Sequence, residues 1–177
     1  SLKQIIQALP KNRFSIFAFT SNAILISPPT TDTAISIMAL EALEPQYILT
    51  KGTSLLALLK TISKTSFKQK SLIIFSDGGE DKDLDALLTL VKENNITPYI
   101  VATGSKSGAI LTQGEKKVKD ENNNLVISRI NPLLKDFATL SGGNYYTLNT
   151  TNATVAKDII SDIQNKEQES QKSQINV

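Results

Sequence analysis

The spacing of apolar positions changes along the chain, and it predicts the elements. Leu2, Ile5, Ile6 and Leu9 recur at helical intervals, and Pro10, followed by Lys11 and Asn12, closes that helix. Phe14, Ile16, Ala18 and Phe19 then make a strand rich in aromatic and branched residues. It breaks at Ser21-Asn22, and residues 23–26 make a second strand. So short a connection predicts an antiparallel hairpin, which Pro28-Pro29 ends. Asp32 stands where it caps a helix carrying Ile35, Met38, Ala39 and Ala42, and Pro45 marks the end of that helix.

From Lys51 onward, apolar helices alternate with short, uniformly apolar strands, as in βαβ units around a parallel sheet. Thr53 or Ser54 begins a helix through Leu55, Leu56, Leu58, Leu59 and Ile62, and residues 72–75 follow as a strand that runs into Ser76-Asp77-Gly78-Gly79. Asp83 opens the next helix, with Leu84, Leu87, Leu88 and Val91 on one face, and residues 98–102 form another strand. The polar stretch 104–131 reads as an inserted β-hairpin, its arms 115–119 and 125–128 joined by a turn at 120–124. Asn131-Pro132 caps and starts a helix over 133–140 that Ser141-Gly142-Gly143 stops. Residues 144–148 are the last strand, and a final helix presents Val155, Ile159, Ile160 and Ile163 to the core. Nearly every residue after that is polar, so 164–177 reads as a frayed tail or linker and 1–163 as one domain.

Composition narrows the chemistry. Among the 177 residues, 19 Lys and Arg face 17 Asp and Glu, a formal charge of +2, and no stretch concentrates the positive charge as nucleic-acid binding requires. Zero Cys and zero His remove thiolate and imidazole ligands, cysteine nucleophiles and the commonest general base. A bound metal must therefore be held by oxygen, which favours Mg²⁺, Mn²⁺ or Ca²⁺. No apolar run approaches the length of a membrane-spanning helix, and the chain opens on Ser1 within what reads as the end of a helix, as if cut from something longer.

In open parallel sheets, ligands bind beyond the carboxyl ends of the strands. Two loops should meet there: Lys51-Gly52-Thr53-Ser54 before a helix and Ser76-Asp77-Gly78-Gly79-Glu80-Asp81 after a strand. The Thr53 hydroxyl and the Asp77 carboxylate are suitable oxygens for a hard cation. Each also has a structural reading, Thr53 as a helix N-cap and Asp77 as a turn former. Glu80, Asp81 and Asp83 are expected to complement the dipole of the helix that they precede.

Taken together, residues 14–19, Thr31-Asp32, Gly52-Thr53 and the run from Leu72 through Ser76-Asp77-Gly78 resemble von Willebrand factor A domains. The second half narrows the resemblance. Gly104-Ser105, Gly108-Ala109-Ile110, Val118-Lys119-Asp120, Val126-Ile127-Ser128 and Ser141-Gly142-Gly143 are similar to the Bat-type, aerotolerance-associated bacterial proteins. The resemblance implies a three-layer α/β/α, Rossmann-like fold with a mostly parallel sheet and an antiparallel edge hairpin. It also implies a metal-ion-dependent adhesion site for Mg²⁺ or Mn²⁺, built from an Asp-x-Ser-x-Ser loop, a Thr and an Asp. The Thr corresponds to Thr53 and the Asp to Asp77, while Asp-x-Ser-x-Ser occurs nowhere in this sequence, nor does the first strand of such domains. Metal binding by this chain alone is accordingly expected to be weak or absent.

The resemblance further implies a non-enzymatic, protein-binding module in a bacterial inner-membrane protein, facing the periplasm, with residues 164–177 as a juxtamembrane linker. Gly52, Thr53, Asp77 and Gly78 are its expected partner-contacting residues. The alternatives are a metal-dependent phosphohydrolase and a structural fragment without a working site. With no first strand, the hairpin is expected either to pair directly with 72–75 or to leave open edges that two chains fill by forming a homodimer.

Overall fold

The computed structural model describes residues 2–43, 52–66, 70–104, 108–110, 112–113, 116–117, 125, 127–148 and 152–175. In chain order its elements are α1 (Leu2–Ala8), β1 (Phe14–Phe19), β2 (Ala23–Thr30), α2 (Thr33–Glu41), α3 (Leu55–Ser63), β3 (Lys70–Ser76), α4 (Leu84–Glu93) and β4 (Ile96–Ala102). Four two-residue strands follow, β5 (Ala109–Ile110), β6 (Thr112–Gln113), β7 (Lys116–Lys117) and β8 (Ile127–Ser128), and then α5 (Leu133–Leu140), β9 (Asn144–Thr147) and α6 (Asn152–Ile175). They form two compact units, residues 1–51 with 149–177, and residues 52–148.

In the first unit, β1 and β2 form the expected antiparallel hairpin. The strand β2 does not end at Pro28-Pro29, however; it continues to Thr30, opposite Phe14. Two irregularities in register, on either side of Ile16, accompany this continuation. Proline donates no ladder hydrogen bond and is tolerated at a bulge or on an edge strand. Asp32 caps α2 as expected, accepting from the amides of Ala34 at 2.9 Å and Ile35 at 3.1 Å. The apolar residues read from that helix lie outside the core, with Ile35 at 51% and Met38 at 67% exposure, and the buried position is Ser36. Pro45, the expected end of the helix, lies outside the described residues. The core of this unit comes from Ile5, Ile6, Leu9, Ile16, Val155, Ile159 and Ile163. Helix α6 does not stop with that apolar stripe but runs on to Ile175, through most of the segment read as a tail. Gln, Lys and Glu are good helix formers, and Asn12 Nδ2 donates to Glu167 Oε1 at 2.6 Å.

The second unit is built on a parallel sheet of order β3-β4-β9. Lys70 to Ser76 pair in register with Ile96 to Ala102, and β9 pairs with the last four residues of β4. Strand β4 starts two residues before the expected Pro98. Proline is tolerated there because β9 first meets β4 at Tyr99, so Pro98 has a paired residue only on the β3 side. Ile96, Tyr99, Ile100 and Val101 are buried, as a strand covered on both faces requires. Helices α4 and α5 pack on β4 and on each other, α5 also on β9, and α3 on α4. The fold is thus mixed α/β with a parallel sheet and an antiparallel hairpin.

The pairing expected of the arms 115–119 and 125–128 is corrected among the described residues: Lys116–Lys117 pairs with Thr112–Gln113, and Ile127–Ser128 with Ala109–Ile110. The expected turn at 120–124 lies outside the described residues. The hairpin β1–β2 forms a two-stranded sheet of its own among the described residues.

Helix α5 ends as its glycines suggest. Gly142 has φ +69°, its amide donates to Thr139 O at 3.3 Å, and Gly143 N donates to Ala138 O at 2.9 Å. Gly143 then passes so close to β4 that a Cβ there would lie 1.9 Å from Pro98 O. Gly143→Ala should therefore force β9 from β4 and cost about 1–3 kcal/mol. Urea unfolding of the chain measures this; a loss within about 0.5 kcal/mol would show that the contact yields easily.

Candidate functional site

The site is built where β3 ends, entirely within residues 52–148. After the buried Ser76 the chain must turn sharply, and Gly78 and Gly79 supply the turn with φ of +94° and +54°. Neither has room for a side chain. A Cβ on Gly78 would lie 2.7 Å from Asn131 Cβ and 2.8 Å from Leu134 Cγ, and one on Gly79 would lie 2.3 Å from Thr53 O and 2.5 Å from Thr53 Cβ. The two loops singled out in the sequence therefore meet, with Gly79 against Thr53. The turn is held locally, because Gly78 N donates to Ser76 Oγ at 3.0 Å and Gly79 N to Asp77 Oδ1 at 3.2 Å. Thr53 and Asp77 are part-buried, Gly52 is exposed and Gly78 is buried.

Helix α3 is capped by Ser54, not Thr53. Ser54 Oγ accepts from Ala57 N at 3.2 Å and donates to Asp81 Oδ1 at 3.2 Å. Asp81 Oδ2 accepts from the Leu55 amide. The carboxylate of Asp81 thus serves the N-terminus of α3, a helix that begins 26 residues earlier, and not that of α4 as expected. Asp83 does serve its own helix, accepting from Ala86 N at 3.0 Å. Glu80 is exposed.

Asn131 closes the arrangement from the other side. Its amide donates to Asp77 O at 2.7 Å, and its Nδ2 donates to Gly79 O at 3.2 Å and Asp81 O at 3.1 Å. Its Oδ1 accepts from Leu133 N at 3.0 Å, which is the capping role expected of Asn131-Pro132. An open depression lined by Glu80, Asp81, Lys82, Asp83, Asn131 and Asp136 adjoins the turn. The bridging roles of Asp81 and Asn131 were not visible in the sequence. Their partners lie 26 to 52 residues away, and only the Asn-Pro helix start marked Asn131 at all.

As a metal centre the donor set fits in part. Thr53 and Asp77 offer the oxygens that a hard cation takes, but both Asp81 oxygens are engaged by α3. Among the described residues, no group of three or more acidic side chains is arranged to hold an ion. Two protein oxygens compete poorly with water for Mg²⁺.

The two glycines beside Thr53 differ in a testable way. Gly52 has φ +87° but open space where a Cβ would stand, so Gly52→Ala should cost only the strain of a left-handed residue, about 1–2 kcal/mol. Gly79→Ala adds a collision with the Thr53 backbone and should cost about 1–3 kcal/mol more. Equal stabilities of the two variants in thermal unfolding would mean that the loops are not locked together.

Comparison with known proteins bears on this arrangement. A family model described as von Willebrand factor type A domain matches residues 1–80, a span that contains Gly52, Thr53, Asp77 and Gly78. No curated protein matches the chain. Among solved structures, the conserved hypothetical protein BatB from Bacteroides thetaiotaomicron is similar with a TM-score of 0.83 and 19% identity, over 94% of this chain and 85% of that one. An aerotolerance-related membrane protein from Bacteroides fragilis NCTC 9343 is similar with a TM-score of 0.74 and 18% identity, over 91% and 87%. The first 80 residues thus match the von Willebrand factor type A model, and the chain shares its fold with these Bat-type structures.

Proposed function

We propose that this domain is a non-enzymatic protein-binding module whose contact face is formed by Gly52, Thr53, Asp77 and Gly78. The observation that carries the reading is the junction of the two loops, Gly79 against Thr53, just beyond the carboxyl end of β3. In an open α/β sheet that is where ligands are received. Thr53 and Asp77 then supply two oxygens to Mg²⁺ or Mn²⁺, and a carboxylate of the partner together with residues beyond this chain supplies the rest. The similarity to an aerotolerance-related membrane protein supports placing the domain in a membrane-associated bacterial protein; the periplasmic side of the inner membrane is the location that the family resemblance implies. No helix among the described residues is long and apolar enough to cross a membrane, so the anchor belongs to other segments in this reading.

In the complete protein, Thr53→Ala and Asp77→Ala should each weaken cross-linked capture of the partner at least tenfold. Both variants should stay folded, Asp77→Ala losing about 1 kcal/mol with its bond to Gly79 N. In titration calorimetry the chain alone should bind Mg²⁺ and Mn²⁺ more weakly than millimolar. Capture equal to that of the parent, or submillimolar binding by the chain that Asp77→Ala abolishes, would overturn the respective part of the proposal.

A second copy of the chain is a further partner on this reading. Among the described residues β3 pairs with β4 on one edge only, and a seven-residue edge of apolar character recruits strands. Light scattering at rising concentration should show a dimer; a strict monomer would remove this partner.

A further inference from the structure

We infer that Asn131 is a positioning residue of the proposed contact face: it sets the path of residues 77–81 and, through Asp81, the start of the helix that follows Thr53. The inference rests on the reading that Thr53 and Asp77 form that face. Asn131 makes two separable kinds of bond. Its Oδ1 accepts from Leu133 N, which caps α5 and concerns α5 alone. Its Nδ2 donates to the carbonyls of Gly79 and Asp81, and its backbone amide to the carbonyl of Asp77, so it spans the turn from end to end.

The hold passes onward. With its carbonyl fixed by Asn131, Asp81 presents its carboxylate to Ser54 Oγ and to the Leu55 amide, the first residues of α3. Thr53 is the next residue back, and its carbonyl lies against Gly79 of the same turn. Three segments are thereby joined: the start of α5, the 77–81 turn and the start of α3 with Thr53, linked by Asn131 and by Asp81. Gly78 has no Cβ, which lets Asn131 approach the turn closely. A polar side chain that satisfies two backbone carbonyls and one amide at once fixes their relative positions, since each group left unsatisfied when buried is costly.

Asn131→Asp separates the two roles. A carboxylate keeps the acceptor for Leu133 N but has no N–H for Gly79 O and Asp81 O, and it places a negative oxygen against both carbonyls. Asn131→Ala removes both roles. Hydrogen exchange of the full chain should show Leu133 protected as in the parent in Asn131→Asp. Leu55 and Gly79 amides should exchange at least tenfold faster, and the buried amides of β4 should not change. Asp81→Ala should release Leu55 while leaving Gly79 protected, which fixes the order of the path. In the complete protein, Asn131→Asp should weaken partner capture as Thr53→Ala does. Unchanged exchange at Leu55 and Gly79 overturns the inference, as does an equal loss of protection in β4, which means general destabilisation. Capture lost in Thr53→Ala but intact in Asn131→Asp overturns it too. Capture intact in both overturns the reading of the face itself, and exchange alone then decides on Asn131.

Discussion

The second unit depends on one steric constraint, the passage of Gly78 and Gly79 between Thr53 on one side and Asn131 with Leu134 on the other. Any side chain at either position would overlap a neighbour by about an ångström or more relative to ordinary contact, and both residues have left-handed backbones. Because the chain can turn there, β3 ends abruptly, Asp77 is left at the end of the strand, and Asp81 is brought back against α3. Without the turn, the hydrogen bonds that Asn131 and Asp81 make would have no fixed targets.

Helix starts explain why the loops gather so many acids and amides in so little space. Each helix begins with amides that have no partner within the helix. Here three helices start around one turn, and each finds its acceptor: Ser54 and Asp81 for α3, Asp83 for α4, Asn131 for α5. Their N-termini carry partial positive charge, which offsets the crowding of Asp77, Glu80, Asp81 and Asp83. The expectation that these acids serve helix starts thus holds for Asp83 at its own helix, while Asp81 serves α3 instead.

This also sets what could be read from the sequence. The alternation of apolar helices and uniform strands made the parallel sheet legible, and the Gly-Gly after Ser76-Asp77 announced a turn. Caps with local partners were legible too: Asp32, Asp83 and the Oδ1 of Asn131 each bond an amide within three residues. What stayed hidden depends on distant segments. Asp81 was assigned to the adjacent helix because sequence proximity is the only guide to a cap, and the fold gave it another. Strand β2 was ended at its prolines because the tolerance of its position for missing donors is a property of pairing, not of composition. Helix α6 was stopped at Ile163 because its apolar stripe stops there, whereas the helix itself runs on in residues of high intrinsic propensity.

Asp81 and Asp77, four residues apart, stand differently toward the proposed contact face. Asp81 has one oxygen on a backbone amide and the other on a hydroxyl, both from the start of α3, so its charge is spent inside the fold. Asp77 Oδ1 accepts from the amide of Gly79, two residues on, a bond that orients the carboxylate within its own turn. A carboxylate oriented by its own turn, beside a threonine that is not required as a cap, is suited to meet a ligand without dismantling a helix. Drawing Asp81 toward a ligand would uncap α3 and move Thr53 with it. On the proposed reading, a face assembled in this way is ordered before a partner arrives, so little ordering entropy would oppose binding there.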